Sequence, residues 1–132
     1  MSVEAAVRAS LVANSGVLAM VSNRVYVGIL PQGVVFPCVL IYPVTQNDDP
    51  TINSIPTTKW ARLQIEAWAD TYAAMQSLHD AINTALAGQS LTPTGYALES
   101  ITPLTSGRYT YESEVEKHRR SRDYGIWWKT TA

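Results

Sequence analysis

The sequence predicts an α+β fold, with a mostly antiparallel sheet of about four strands and two main helices packed on one face. Three observations predict it. Residues 60–68, WARLQIEAW, alternate strictly, with Ala61, Leu63, Ile65 and Ala67 on one side and Trp60, Arg62, Gln64, Glu66 and Trp68 on the other; period two is the mark of a strand buried on one face. Residues 72–86 place Tyr72, Met75, His79, Ile82 and Leu86 in one helical stripe. Residues 35–45 are β-branched, aromatic and apolar on both sides, the pattern of a central strand covered twice.

The elements follow in order. Ser2 caps a first helix whose Val3, Ala6, Val7 and Leu11 make an apolar stripe, and Asn14, Ser15 and Gly16 end it. A short helical turn over Val17–Val21 precedes an extended piece from Arg24 to Val27. Gly28, Pro31, Gln32 and Gly33 form a turn-rich connection. The strand from Val35 to Thr45 contains Pro37 and Pro43. Lacking an N–H, proline belongs at a strand start, a bulge or an edge. Gln46 to Lys59 reads as a long projecting loop. A strand from Thr58 to Ala69 leads through Asp70 and Thr71, an N-cap, into the main helix, which Gly88 stops. Two strands close the chain, Tyr96–Leu104 and His118–Lys129. Glu112, Glu114 and Glu116 lie between them as a solvated acidic stretch. In the last strand Tyr124, Ile126 and Trp128 share a face.

Bulk properties bound the function. A chain of 132 residues, 46% hydrophobic, is one domain with a core of its own. Ten basic against eleven acidic residues give a net charge of −1, unlike a protein that grips phosphates. One cysteine allows no internal disulfide, and with two histidines it makes no Cys/His zinc site; folding in a reducing cytosol is expected. The N-terminus has no export signal pattern, and no apolar run is long enough to span a membrane.

Candidate chemistry is sparse. His79 lies in the apolar stripe of the main helix with no nucleophile or carboxylate placed beside it, and reads as a packed histidine. Cys38 alternates with Phe36 and Leu40 in the most apolar strand, the setting of a buried, inert thiol. Asp48-Asp49 lacks the spacing of a calcium loop. HRRSR (His118–Arg122) is the only basic cluster, and the acidic run before it makes ion pairing at least as good a reading as phosphate contact. No P-loop, dinucleotide fingerprint or nucleophile elbow occurs. No catalytic, cofactor or metal residue is expected, and the chain does not read as an enzyme. Four tryptophans exceed the needs of a small core, and Trp with Arg is the composition of interface centres. Trp60, Arg62, Gln64, Glu66 and Trp68 are therefore the expected contact surface, unless a second layer of the same chain covers them.

In order and spacing, VEAAVRASLVAN, NRVYVGILPQGVVFPCVLIY, ARLQIEAWADTYAAMQSLHDAINTAL and the closing DYGIWWK resemble the tail terminator proteins of long-tailed bacteriophages and related prophage particles, also called tail completion or head-to-tail joining proteins. The resemblance implies a homo-hexameric ring seated on the last ring of tail tube protein. Such a ring ends tube polymerisation, meets the head-completion or connector protein, and lets DNA pass through its lumen without specific binding. It implies a virion protein at the head-proximal end of the tail, assembled in the host bacterial cytoplasm, with no cofactor and no membrane partner. On this reading Asn47, Asp48, Asp49, Thr51 and Asn53 form a docking loop for tube or connector. Two alternatives remain: a head-completion or stopper ring, and a small ligand-binding or enzymatic α+β domain with His79 and Cys38 lining a pocket.

Overall fold

The computed structural model describes residues 2–47, 58–93 and 95–131. Its elements are α1 (Val3–Ala13), α2 (Ser15–Val21), β1 (Val25–Val27), β2 (Cys38–Asn47), β3 (Lys59–Ala69), α3 (Tyr72–Leu86), β4 (Tyr96–Pro103), β5 (Arg108–Glu112) and β6 (Lys117–Thr130). The α+β class stands, but among the described residues the sheet has six strands rather than about four, and three helices pack on it. Among the expected boundaries, Gln46, Asn47 and Lys59 prove to be strand residues rather than loop.

Caps define the helices. Ser2 Oγ accepts from the Ala5 amide at 3.3 Å, and Asn14 Oδ1 accepts from the Gly16 and Val17 amides, so one residue both ends α1 and starts α2. Thr71 Oγ1 accepts from the Ala74 amide, and Gly88 follows α3 with a φ of +71°, a conformation open to glycine.

The sheet runs β1-β2-β3-β6-β4, with β5 also on β6. β1 is parallel to β2; the other pairings are antiparallel. A parallel neighbour needs a return connection, which residues 28–37 supply. Arg24 Nε donates to the Pro37 carbonyl at 3.0 Å and Arg8 Nε to the Val25 carbonyl at 2.7 Å, tying this corner to the sheet and α1. The β2–β3 register shifts between Pro43 and Thr45, the bulge that a proline inside a paired strand requires.

The segment before β6, read as a solvated acidic stretch, instead contains β5. β4 and β5 lie end to end along the same side of β6: Pro103 pairs with Tyr124 and Arg108 with Ser121. Four residues, 104–107, thus stand opposite two on β6. The period-two glutamates masked the strand, because Arg108, Tyr109 and Tyr111 are exposed and carry no buried stripe to read.

The core lies between the helices and one face of the sheet. Val3, Val7 and Leu11 of α1, Val17 and Val21 of α2, and Leu78, Ile82 and Leu86 of α3 meet Val39, Ile41, Leu63, Ile65, Leu98, Tyr124 and Ile126, all buried. The alternation of residues 60–68 is thereby explained, since Ala61, Leu63, Ile65 and Ala67 are the helix side. The expectation that β2 is covered on both faces holds for only its first half. Cys38 and Leu40 are buried, whereas Tyr42 and Val44 are 51% and 47% exposed, because the 28–37 connection shelters only the start of the strand.

Candidate functional site

Strand register assembles the opposite, open face of the sheet. Across β3–β6, Trp60 stands opposite Trp127, Arg62 opposite Gly125, Gln64 opposite Asp123, Glu66 opposite Ser121 and Trp68 opposite Arg119. On the other flank Glu66 meets Leu40 and Gln64 meets Tyr42. Among the described residues, no helix lies on this side, since the core residues of all three helices meet the Leu63–Ile65 face.

The centre of the face is a charge network closed within the chain. Arg62 Nη2 lies 2.7 Å from Asp123 Oδ2. Glu66 is buried at 5% exposure and takes three donors: Gln64 Nε2 at 2.8 Å and Trp68 Nε1 at 3.0 Å by hydrogen bond, and Arg119 Nη1 at 3.6 Å as an ion pair. Arg119 also reaches Glu112 at 2.8 Å and stands over the Trp68 ring at 5.3 Å. A buried carboxylate survives because its lone pairs are satisfied.

The two tryptophan ends differ. Trp68 packs against Phe36, with ring centres 6.2 Å apart. With Phe36, Leu30, Val34 and Val115 it borders a cavity of about 370 Å³ under the 28–37 connection. At the other end Trp60 lies over Gly125: a Cβ there would stand 3.3 Å from the indole Nε1 and 3.2 Å from a Leu104 methyl. The missing side chain lets the indole and Leu104 rest on the strand backbone. Trp127 beside it is 45% exposed and Leu104 41%.

The five expected contact residues therefore share one face, but not one environment. Glu66 is enclosed and Trp68 is covered by the chain's own connection, while Trp60 lies at the open end. Trp127, Leu104 and Gly125 join that end only through register, although the alternation of Trp127 with Trp128 was a visible signal. Of the docking loop, Asn47 ends β2, and Asp48, Asp49, Thr51 and Asn53 lie outside the described residues.

His79 and Cys38 are not brought together. Cys38 sits in β2 on the open-face side, at the covered end opposite Trp68; burial pushes its thiol up to about 12. His79 lies on α3 at 6% exposure. Burial, followed by the charges of Arg122 and Arg120, lowers it to about 4. A thiol held protonated and an imidazole held neutral on opposite sides of the sheet do not form a nucleophile–base pair. Among the described residues no three His, Cys, Asp or Glu side chains gather to hold a metal ion, and no single helix is long and apolar enough to cross a membrane.

Residues 5–129 match the family model described as tail completion protein gp17. No curated protein matches the chain. Among solved structures, a chain of "Virion of native gene transfer agent (GTA) particle" superposes with a TM-score of 0.72. That match has 18% identity and covers 97% of this chain and 95% of that one. At such identity the likeness is one of fold.

Proposed function

Since the chain belongs to the tail completion protein gp17 family, and is thereby a phage tail structural protein of the virion, we propose that it forms a ring closing the tail tube. In this reading six copies sit on the last ring of tail tube protein at the head-proximal end, stop polymerisation, and present a surface to the head-completion or connector protein. The role is structural, without catalysis.

The observation that carries the reading is the open end of the uncovered sheet face, where Trp60, Trp127 and Leu104 lie together. A cyclic ring needs heterologous contacts, one patch meeting a different patch on the neighbour. A partly exposed apolar cluster, half-buried Trp60 with exposed Trp127 and Leu104, beside an internally satisfied charge network suits such a contact, because its apolar area can be buried without stranding a charge. The net charge of −1 suits a lumen through which DNA moves, since a strongly basic lining would hold phosphates by counterion release. In the same reading, residues 46–59, with Asn47, Asp48, Asp49, Thr51 and Asn53, dock on tube or connector.

The test is the native mass of the purified chain together with electron micrographs of particles that contain it. A ring of six at the head-proximal end of the tail supports the reading. A chain that stays monomeric and is missing from that joint overturns it, and a ring on the head side of the joint assigns it to the stopper role. Deleting residues 48–54 should spare the ring and abolish docking.

A further inference from the structure

β6 splits the basic run HRRSR between two environments. Arg119 faces the open side and is held by Glu66 and Glu112. Arg120 and Arg122 face α3, where they meet Gln76, His79 and Asn83. Arg120 Nη1 donates to Gln76 Oε1 at 3.3 Å, and Arg122 Nη1 to Asn83 Oδ1 at 2.7 Å. Arg122 Nη2 donates to the Ser106 carbonyl at 3.0 Å, and the Tyr124 hydroxyl donates to Asn83 Oδ1 at 3.1 Å. This seam is polar, whereas the neighbouring stripe of α3, Met75, Leu78 and Ile82, is core.

The seam's nearest described carboxylate, Asp80, accepts from Gln76 Nε2 at 3.0 Å and acts on His79, but neither guanidinium holds it directly. Arg62, Lys117, Arg119 and Lys129 each hold a carboxylate. Among the described residues, Arg120 and Arg122 hold only neutral oxygens. Their Nε atoms are buried without an acceptor, and Gly107, at a φ of +98°, passes so close that a Cβ there would stand 3.2 Å from Arg120 Nε. His79, between them, supplies no compensating charge. The Cα atoms of residues two apart on a strand lie roughly 7 Å from each other, so two like charges share this side of β6; an anion reaching either guanidinium would bind by charge-assisted hydrogen bonds. Tyr72, Tyr109 and Tyr111 rim the same side of the hairpin, each between 40% and 49% exposed. Tyrosine around arginine is the composition of protein hot spots.

We propose that Arg120 and Arg122 form a receptor for a carboxylate presented by an acidic segment of another protein. A protein segment fits better than nucleic acid for two reasons. The rim rings are packed on one another rather than splayed: Tyr109 stacks on His118 at 5.9 Å, Tyr111 lies 5.0 Å from it and Tyr72 meets Tyr109 edge-on at 5.2 Å, so no open platform is left for bases. The adjoining hairpin also carries Glu114 and Glu116, whose like-charge repulsion accumulates along a continuous phosphate backbone and is smaller for a single carboxylate.

The experiment is nuclear magnetic resonance of the full chain, following the arginine Nε–H signals during titration with tetraglutamate peptide and, separately, with a ten-residue thymidine oligonucleotide. Saturable shifts of the Arg120 and Arg122 signals with tetraglutamate are expected. Arg120→Gln should weaken them roughly tenfold, and Arg108→Gln, on the other face of the hairpin, should leave them unchanged. The wild-type titration decides even if the variant folds poorly: absent or unsaturable shifts overturn the proposal, and stronger shifts with the oligonucleotide overturn it in favour of nucleic acid. The ring is read separately, by native mass, so its failure would not be mistaken for this one.

Discussion

The indole N–H of Trp68 donates to Glu66 Oε1 at 3.0 Å, two residues back along the same strand. This bond turns an apolar side chain into the support of a buried charge. It separates Trp68 from Trp60, its counterpart at the other end of the alternating stretch, because an indole already committed to Glu66, Arg119 and Phe36 is part of the monomer.

Trp68→Ala should therefore destabilise the single chain by about 2–4 kcal/mol, from lost packing and from a buried carboxylate deprived of a donor. Urea unfolding read by circular dichroism at a concentration too low for assembly measures it. A loss below about 0.5 kcal/mol would show that Glu66 does not depend on this bond.

Trp60→Ala and Trp127→Ala should behave differently. Both residues lie at the open end of the face; the change at exposed Trp127 should cost the monomer only about 1 kcal/mol and at half-buried Trp60 about 1–3 kcal/mol, while either reduces the native mass from ring to single chain. Light scattering on the folded variants reads the outcome. An unchanged ring would move the subunit contact away from this end.

His79 makes stability depend on pH. Its folded value of about 4 lies below its ordinary 6.5, so between the two the unfolded chain binds the extra proton. The contribution is complete above pH 6.5 and is lost as pH falls toward 4. From pH 7 to pH 4.5 the wild type should lose about 2 kcal/mol more stability than His79→Leu, in paired urea titrations. Parallel losses in both proteins would show that His79 is solvated and titrates normally.

Cys38 should resist alkylation in the folded chain. Buried in β2 and pushed up to about 12, the thiol has little thiolate at pH 8 and no access to reagent. Iodoacetamide followed by mass spectrometry should label it only in denaturant. Rapid labelling of the native protein would restore a reactive-thiol role.

Much of the fold was legible because its signals are local. The stripe of α3, the caps Ser2, Asn14 and Thr71, and the alternation along β3 each need only a few neighbouring residues to be recognised. β5 was not legible, since a strand added to the outer end of β6 with both its tyrosines exposed has no buried stripe to betray it. The candidate site was half legible. The sequence displayed Trp60 and Trp68 as equivalents, yet the 28–37 connection lies over only one of them.

By itself the amino-acid order determined which residues face the helices, because burial of one side of a strand or helix is written in its period. It also determined that Cys38 and His79 are packed groups, through the apolar company each keeps along its own element. Only the tertiary structure decided that Trp60 meets Trp127 over Gly125, that Glu66 is enclosed, and that Arg119 holds carboxylates while Arg120 and Arg122 hold neutral oxygens. Those relationships depend on strand register and on which segment crosses which face, and both follow from contacts between residues distant in the chain.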